Sequence, residues 1–154
     1  MTRRVLPGML ERGRGHVVFM SALSGKIGFP YCGPYAATKA GLIALCQSLR
    51  LEYADAPVGF TAVCPGFVSE VGIGARALGN GKVPAMLAPV KPDKVARAVV
   101  NAIGRDQVEV VVSAAPVRPI LAIAALVPRL GLRLTRSTGI ARLSREIAVR
   151  RNRA

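Results

Sequence analysis

Tyr35-Ala36-Ala37-Thr38-Lys39 opens the longest helix-compatible run of the chain and places a phenol and an ammonium group four positions apart. Residues four apart on a helix share one face, so these two side chains are predicted neighbours. A nearby positive charge favours the phenolate, which predicts a lowered Tyr35 pKa suited to proton transfer. A short motif alone is weak, because a tyrosine and a lysine on a half-exposed helix give the same spacing. Whether Tyr35 and Lys39 form an acid/base pair must therefore be judged from the flanking residues.

Short apolar runs lie on both sides of this helix, which is predicted over residues 34–53. Residues 17–20 and 58–64 are rich in β-branched and aromatic side chains and are predicted as buried parallel strands. A helix that begins at Pro92 and a third strand over residues 108–112 follow. This alternation predicts an α/β fold, a partial Rossmann-type doubly wound parallel sheet. Such sheets bind ligands at the carboxyl ends of their strands, where Tyr35 and Pro65-Gly66 both fall.

The character of the chain changes after Ser113, so we predict two parts, residues 1–113 and residues 114–154. The second part is a basic, partly amphipathic helical tail with nine arginines and one acidic residue, Glu146. Prolines interrupt its apolar stretch, and residues 137–150 have the spacing of an amphipathic helix. This helix is compatible with an interfacial membrane or partner contact and equally with packing on its own domain.

Composition limits the function classes. The chain of 154 residues is half hydrophobic and carries a net charge of +14. Cys32, Cys46 and Cys64 lack the spacing of a zinc or redox motif, which favours a reduced, cytoplasmic setting. With one histidine and no carboxylate cluster, we expect no metal site. The basic charge suits a solvated face or a peripheral membrane contact through residues 114–154, whereas nucleic acid is disfavoured because no aromatic residues interleave with the charge.

Several motifs in series resemble the carboxyl-terminal half of the short-chain dehydrogenase/reductase family. The matching residues are Gly15-His16-Val17-Val18-Phe19-Met20-Ser21, Ser24-Gly25, Tyr35-Ala36-Ala37-Thr38-Lys39-Ala40-Gly41-Leu42 and Val63-Cys64-Pro65-Gly66-Phe67-Val68. The ordered series is far more specific than any one of its motifs.

The resemblance implies an oxidoreductase that moves a hydride between NAD or NADP and a small alcohol or ketone. By resemblance, Tyr35 is the general acid for carbonyl reduction and the general base for alcohol oxidation. Lys39 binds the nicotinamide ribose and lowers the pKa of Tyr35. The backbone after Pro65 and Gly66, around Val68, meets the nicotinamide carboxamide, and a glycine lets the main chain approach closely.

The family's catalytic serine maps onto an alanine. This serine lies thirteen residues before the tyrosine and three before the glycine of the turn, and both counts give Ala22. Ser21 substitutes only if the strand end is bulged or twisted, because neighbouring strand residues face opposite sides. Ser24, in the turn, is a weaker candidate. Losing one such donor costs on the order of 3 kcal/mol of transition-state stabilisation.

The family's glycine-rich phosphate loop and its first four strands find no counterpart in the sequence. Gly72-Ile73-Gly74 imitates the loop but follows no predicted strand. We therefore expect a truncated chain that lacks on the order of 100 residues, exposes the edge of its first strand and binds a dinucleotide weakly or not at all. A non-enzymatic module is the alternative, with helix 34–53 as a homo-oligomer interface and the arginine-rich tail on a membrane surface.

Overall fold

The fold is described from a computed structural model, over residues 1–71, 83, 87–137 and 139–151. These residues form three strands and six α-helices. The strands are β1 (Gly15–Met20), β2 (Val58–Pro65) and β3 (Glu109–Val112). The helices are α1 (Thr2–Glu11), α2 (Gly33–Glu52), α3 (Pro92–Gly104), α4 (Arg118–Leu126), α5 (Pro128–Ser137) and α6 (Ile140–Arg151). A short 3-10 helix spans Leu23–Gly25.

The three strands form one parallel sheet in the order β1-β2-β3. Met20 at the end of β1 pairs with Val63, and Pro65 at the end of β2 pairs with Val112. The carboxyl ends of all three strands therefore meet at one edge of the sheet. The α/β fold class and the parallel strand order predicted from the sequence are confirmed.

Helices cover both faces of the sheet, because successive strand residues point to opposite sides. Helices α1 and α2 cover the face whose buried residues are Leu6, Phe19, Ile43, Cys46, Phe60, Ala62 and Cys64. Helix α3 covers the other face, where Val63, Val90 and Val112 pack with Val18, Val95 and Val99. Helix α2 packs against β1 and β2 in this core, and this packing positions the side chains at its amino end.

A polar cluster closes the opposite, amino-terminal edge of the sheet. Nε2 of His16 lies 2.8 Å from Oγ1 of Thr61, whose own proton goes to the carbonyl of Gln107. Arg50 pairs with the Asp106 carboxylate and also donates to the carbonyl of Asp106. Burial lowers the pKa of His16, although Asp106 opposes that shift. His16 therefore has a structural role far from Tyr35.

The tail contains more helix than the sequence indicated. Pro119 and Pro128 each stand in the first turn of a helix, where a missing N–H is tolerated, and the break before Pro128 separates α4 from α5. In α6, Ile140 and Leu143 are buried against Leu87, so this helix packs on the rest of the chain. The boundary at residue 113 stays a prediction, and the short helix predicted near residues 75–78 lies outside the described residues, as does Gly72-Ile73-Gly74.

Candidate active site

Tyr35 and Lys39 lie side by side on the first turns of α2. The ammonium of Lys39 is 5.6 Å from the centroid of the Tyr35 ring. The same ammonium donates a 2.7 Å hydrogen bond to the carbonyl of Met20, the last residue of β1. Tyr35 is 42% exposed. The pair thus sits at the carboxyl edge of the sheet, with the lysine fixed to a strand end and the phenol open to solvent.

The pKa of Tyr35 is raised, so the expected lowering by Lys39 is wrong for this structure. Burial is the main cause of the increase, and Cys32 on the preceding turn adds to it. The Lys39 charge does not reverse the shift, because the ammonium is directed to Met20 rather than to the phenol oxygen. A phenol with a raised pKa stays protonated at neutral pH, and this is the form that can donate a proton.

The hydroxyl of Ser21 points into α2 and not towards the phenol. Its Oγ donates a 2.7 Å hydrogen bond to the main-chain carbonyl of Lys39, and the residue is buried. Ala22 follows with a methyl group that cannot donate. The hydroxyl oxygen of Ser24 is buried with no hydrogen-bond partner among the described residues. The bond from Ser21 to Lys39 counts against Ser21 as a substitute donor, because its proton is already used within the protein.

Gly25 fixes the position of the lysine through direct backbone packing. A Cβ atom added at Gly25 would lie 2.7 Å from the carbonyl carbon of Lys39 and 2.9 Å from the nitrogen of Ala40. Both contacts are with main-chain atoms, which cannot rotate away. The Ser24-Gly25 turn was recognised in the sequence only as part of a motif. Its packing role follows from the contact with α2. The only sign of this contact in the sequence is the glycine at position 25.

The loop after β2 brings main-chain groups to the same edge of the sheet. The N–H of Gly66 donates to the carbonyl of Val112, which extends the pairing with β3. Val68 forms an isolated parallel bridge with Val90, made by the N–H of Ser69 and the carbonyl of Phe67. The N–H and carbonyl of Val68 itself take no part in this bridge. They are therefore oriented away from Val90 and can serve a ligand.

Glycine at position 66 is not required by the packing of the protein. Among the residues that the structure describes, a Cβ atom there would meet only the Val112 carbonyl oxygen, at an ordinary distance of 3.8 Å. Space for a side chain therefore exists in front of the Gly66 backbone. A planar amide could occupy this space and bond to the main chain.

A sizeable cavity lies away from Tyr35. It measures about 460 Å³ and separates α2 from α4, with the ion pair between Lys26 and Glu109 on its wall. Tyr35 does not line it. In the part of the chain that the structure describes, no three histidine, cysteine or acidic side chains come together as a metal site would require.

Comparisons with known proteins agree with the geometry. The family profile described as short chain dehydrogenase matches residues 1–77, half of the chain. Ketoacyl reductase HetN of Nostoc sp. (strain PCC 7120) is 38% identical over 117 residues, which are 76% of this chain and 40% of that protein. A dehydrogenase/reductase SDR family protein 7-like of Drosophila melanogaster is 32% identical over 118 residues, or 73% of this chain and 36% of that protein.

Solved structures show the same fold. A short chain dehydrogenase/reductase family protein superposes with a TM-score of 0.63 at 26% identity, over 72% of this chain and 49% of its own. An actinorhodin polyketide ketoreductase variant, crystallised with NADPH, gives 0.57 at 29% identity over 72% of this chain and 51% of its own. The chain spans about two fifths of the length of the curated relatives described above. The chain belongs to the short-chain dehydrogenase family.

Proposed function

We propose that this chain carries the nicotinamide end of the active site of an NAD(P)-dependent oxidoreductase that interconverts an alcohol and a ketone. The observation that carries the proposal is the meeting of Tyr35, Lys39 and the Gly66 backbone at one edge of the sheet. The two relatives named above and the ketoreductase with NADPH support the same class of reaction.

Each residue has a distinct role in this proposal. Tyr35 gives its proton to the carbonyl oxygen of a ketone during reduction, and its raised pKa makes it a weaker acid than an ordinary phenol. Lys39 uses one of its three N–H donors on Met20 and offers the others to ribose hydroxyls. The main chain at Gly66 and Val68 holds the carboxamide. When bound, the dinucleotide supplies the hydride, and the residues of this chain place the acceptor carbon beside it.

We further propose that this chain alone binds the dinucleotide weakly and has little activity. The glycine-rich loop that cradles the two phosphates in this family has no counterpart in the sequence, and position 22 offers a methyl group in place of a donor. What remains is a half-site for nicotinamide and ribose. Because this half-site makes few contacts, we expect it to bind the dinucleotide with a millimolar rather than a micromolar dissociation constant.

A titration of the chain with NADPH, followed by amide NMR, tests both parts. Signals of Lys39, Gly66 and Val68 should shift progressively into the millimolar range, while those of Leu126 stay in place. A Lys39→Met variant should lose the response, and Arg136→Gln, a distant change of equal charge, should keep it. Shifts confined to another region would overturn the site, and saturation at micromolar NADPH would overturn the weak binding.

The second candidate is a non-enzymatic role in self-association through α2. Leu45 and Leu51 are exposed on this helix, beside a face of small residues that would let a second helix approach closely. Sedimentation velocity separates the alternatives. A dimer that becomes a monomer on Leu45→Arg, but not on Leu132→Arg in α5, supports the interface. A monomer at all concentrations contradicts it.

A further inference from the structure

Helices α4 and α5 pack against each other as a tight hairpin. A Cβ atom at Gly131 would overlap Ala124, so the two helices touch through their backbones. Gly131 and Thr135 are buried on the inner side, and the Thr135 hydroxyl donates to the Gly131 carbonyl at 2.8 Å. The inner side of the hairpin is therefore buried between its two helices and also against other segments, because Thr135 lines a small cavity together with Leu23 and Ile140. Its outer face needs a separate explanation.

The turn of this hairpin exposes large apolar side chains. Leu126 is 82% exposed, and Val127 and Leu130 on either side of Pro128 are exposed as well. Leu132 is exposed as well, but it lies on a different side of α5 from Leu130. Single exposed leucines are common, but three exposed apolar side chains at one turn are typical of a binding surface.

A row of arginines accompanies these apolar side chains. Arg129, Arg133 and Arg136 follow one another at spacings of four and three residues, so they share the exposed face of α5. In the part of the chain that the structure describes, none of the three takes part in an ion pair. Residues 118–137 include no acidic residue at all. The hairpin thus presents positive charge without any compensating negative charge.

This combination selects one class of partner. An apolar tip flanked by arginines has the chemistry of an anionic lipid surface, because the leucines enter the acyl boundary while the guanidinium groups bind phosphate headgroups. Nucleic acid would account for the charge but not for the exposed leucines, and the hairpin has no aromatic side chain to stack on bases. No helix of the described residues is long and apolar enough to cross a bilayer, so the contact is interfacial.

We propose that the α4–α5 hairpin docks the protein on membranes rich in anionic phospholipid, with Leu126, Val127 and Leu130 inserted and Arg129, Arg133 and Arg136 on the headgroups. This inference is independent of the proposed oxidoreductase function. It gives a role to part of the basic charge of the tail, since four of its nine arginines lie in the hairpin.

Co-sedimentation of the whole chain with vesicles tests the charge requirement. Binding should be strong with 30% phosphatidylserine and weak with phosphatidylcholine alone. The triple variant Arg129→Gln, Arg133→Gln, Arg136→Gln should lose about fivefold in affinity per arginine, on the order of 100-fold in all. The matched control is Arg3→Gln, Arg4→Gln and Arg14→Gln, which removes the same charge from exposed positions around α1.

A fluorescent probe tests insertion of the tip. The sequence contains no tryptophan, so a Leu126→Trp variant carries a unique reporter. Its emission should shift to the blue with anionic vesicles. Leu51→Trp in α2, at 81% exposure in the parent, is the matched control and should not shift.

Three results would overturn the proposal. Equal losses of vesicle affinity in the two triple variants would show that binding depends on net charge alone. An unshifted Leu126→Trp emission on sedimented vesicles would show that the tip does not insert. Absence of sedimentation, with binding to a duplex oligonucleotide that requires the same three arginines, would assign the surface to nucleic acid instead. Circular dichroism of each variant checks that the surface substitutions leave the helices intact.

Discussion

Replacement of Gly25 by alanine should disturb the candidate active site without changing any side chain that is proposed to face a ligand. The new methyl carbon would lie 2.7 Å from the carbonyl carbon of Lys39, about 0.7 Å inside an ordinary contact of 3.4 Å. Because the obstructing atoms belong to the backbone of α2, relief requires the helix to move away from the turn. That movement would stretch the bond from Ser21 to the Lys39 carbonyl and the bond from Lys39 to Met20.

The expected loss of stability can be assembled from these contacts. Overpacking of this kind costs about 1–3 kcal/mol, and loss of the buried Ser21 hydrogen bond adds about 1 kcal/mol. The reduced freedom of the unfolded chain returns up to about 1 kcal/mol. The net loss for Gly25→Ala should be about 2 kcal/mol, which lowers the melting temperature by roughly 4–8 °C in a protein of this size.

Urea unfolding monitored by circular dichroism measures the effect. Gly41→Ala is the matched control, because it makes the same substitution in α2 where a new Cβ atom would meet nothing within 4 Å. This control should gain about 1 kcal/mol from helix propensity. If Gly25→Ala matched the stability of the parent, direct backbone contact between the turn and α2 would be refuted.

Three other expectations concern separate parts of the chain. Gly66→Ala should leave the unfolding free energy within about 1 kcal/mol of the parent, since the added atom finds ordinary space, but should abolish the NADPH shifts; unchanged shifts would contradict the close approach. Stability should fall from pH 7 to pH 5, because burial lowers the pKa of His16 in the fold below its usual 6.5 and the unfolded chain then binds the proton more readily. His16→Gln should flatten that slope, and an unaltered slope would implicate other groups. Finally, burial raises the pKa of the Cys64 thiol to about 11, so a disulfide reagent at pH 8 should modify the partly exposed Cys32 rapidly and Cys64 only after unfolding; rapid modification of Cys64 in the native protein would show that β2 opens.

The sequence predicted the sheet well because its signals are local. The apolar runs around Phe19 and Phe60 are long enough to indicate buried strands, and Pro34 marks the first turn of the helix that follows. The tail was predicted less well. The pattern of prolines predicts interruptions, whereas Pro119 and Pro128 each stand in the first turn of a helix, and only the contact of Gly131 with Ala124 shows that the two helices form a hairpin.

The sequence by itself determined the family, the order of strands and helices, and the four-residue spacing that puts Tyr35 beside Lys39. These properties depend on residues close together in the chain. The tertiary structure alone decided where the Lys39 ammonium and the Ser21 hydroxyl are directed, and why the Tyr35 pKa rises instead of falling. The physical reason is that hydrogen-bond partners and burial come from distant segments, here the end of β1 and the first turns of α2, which no local pattern places at bonding distance.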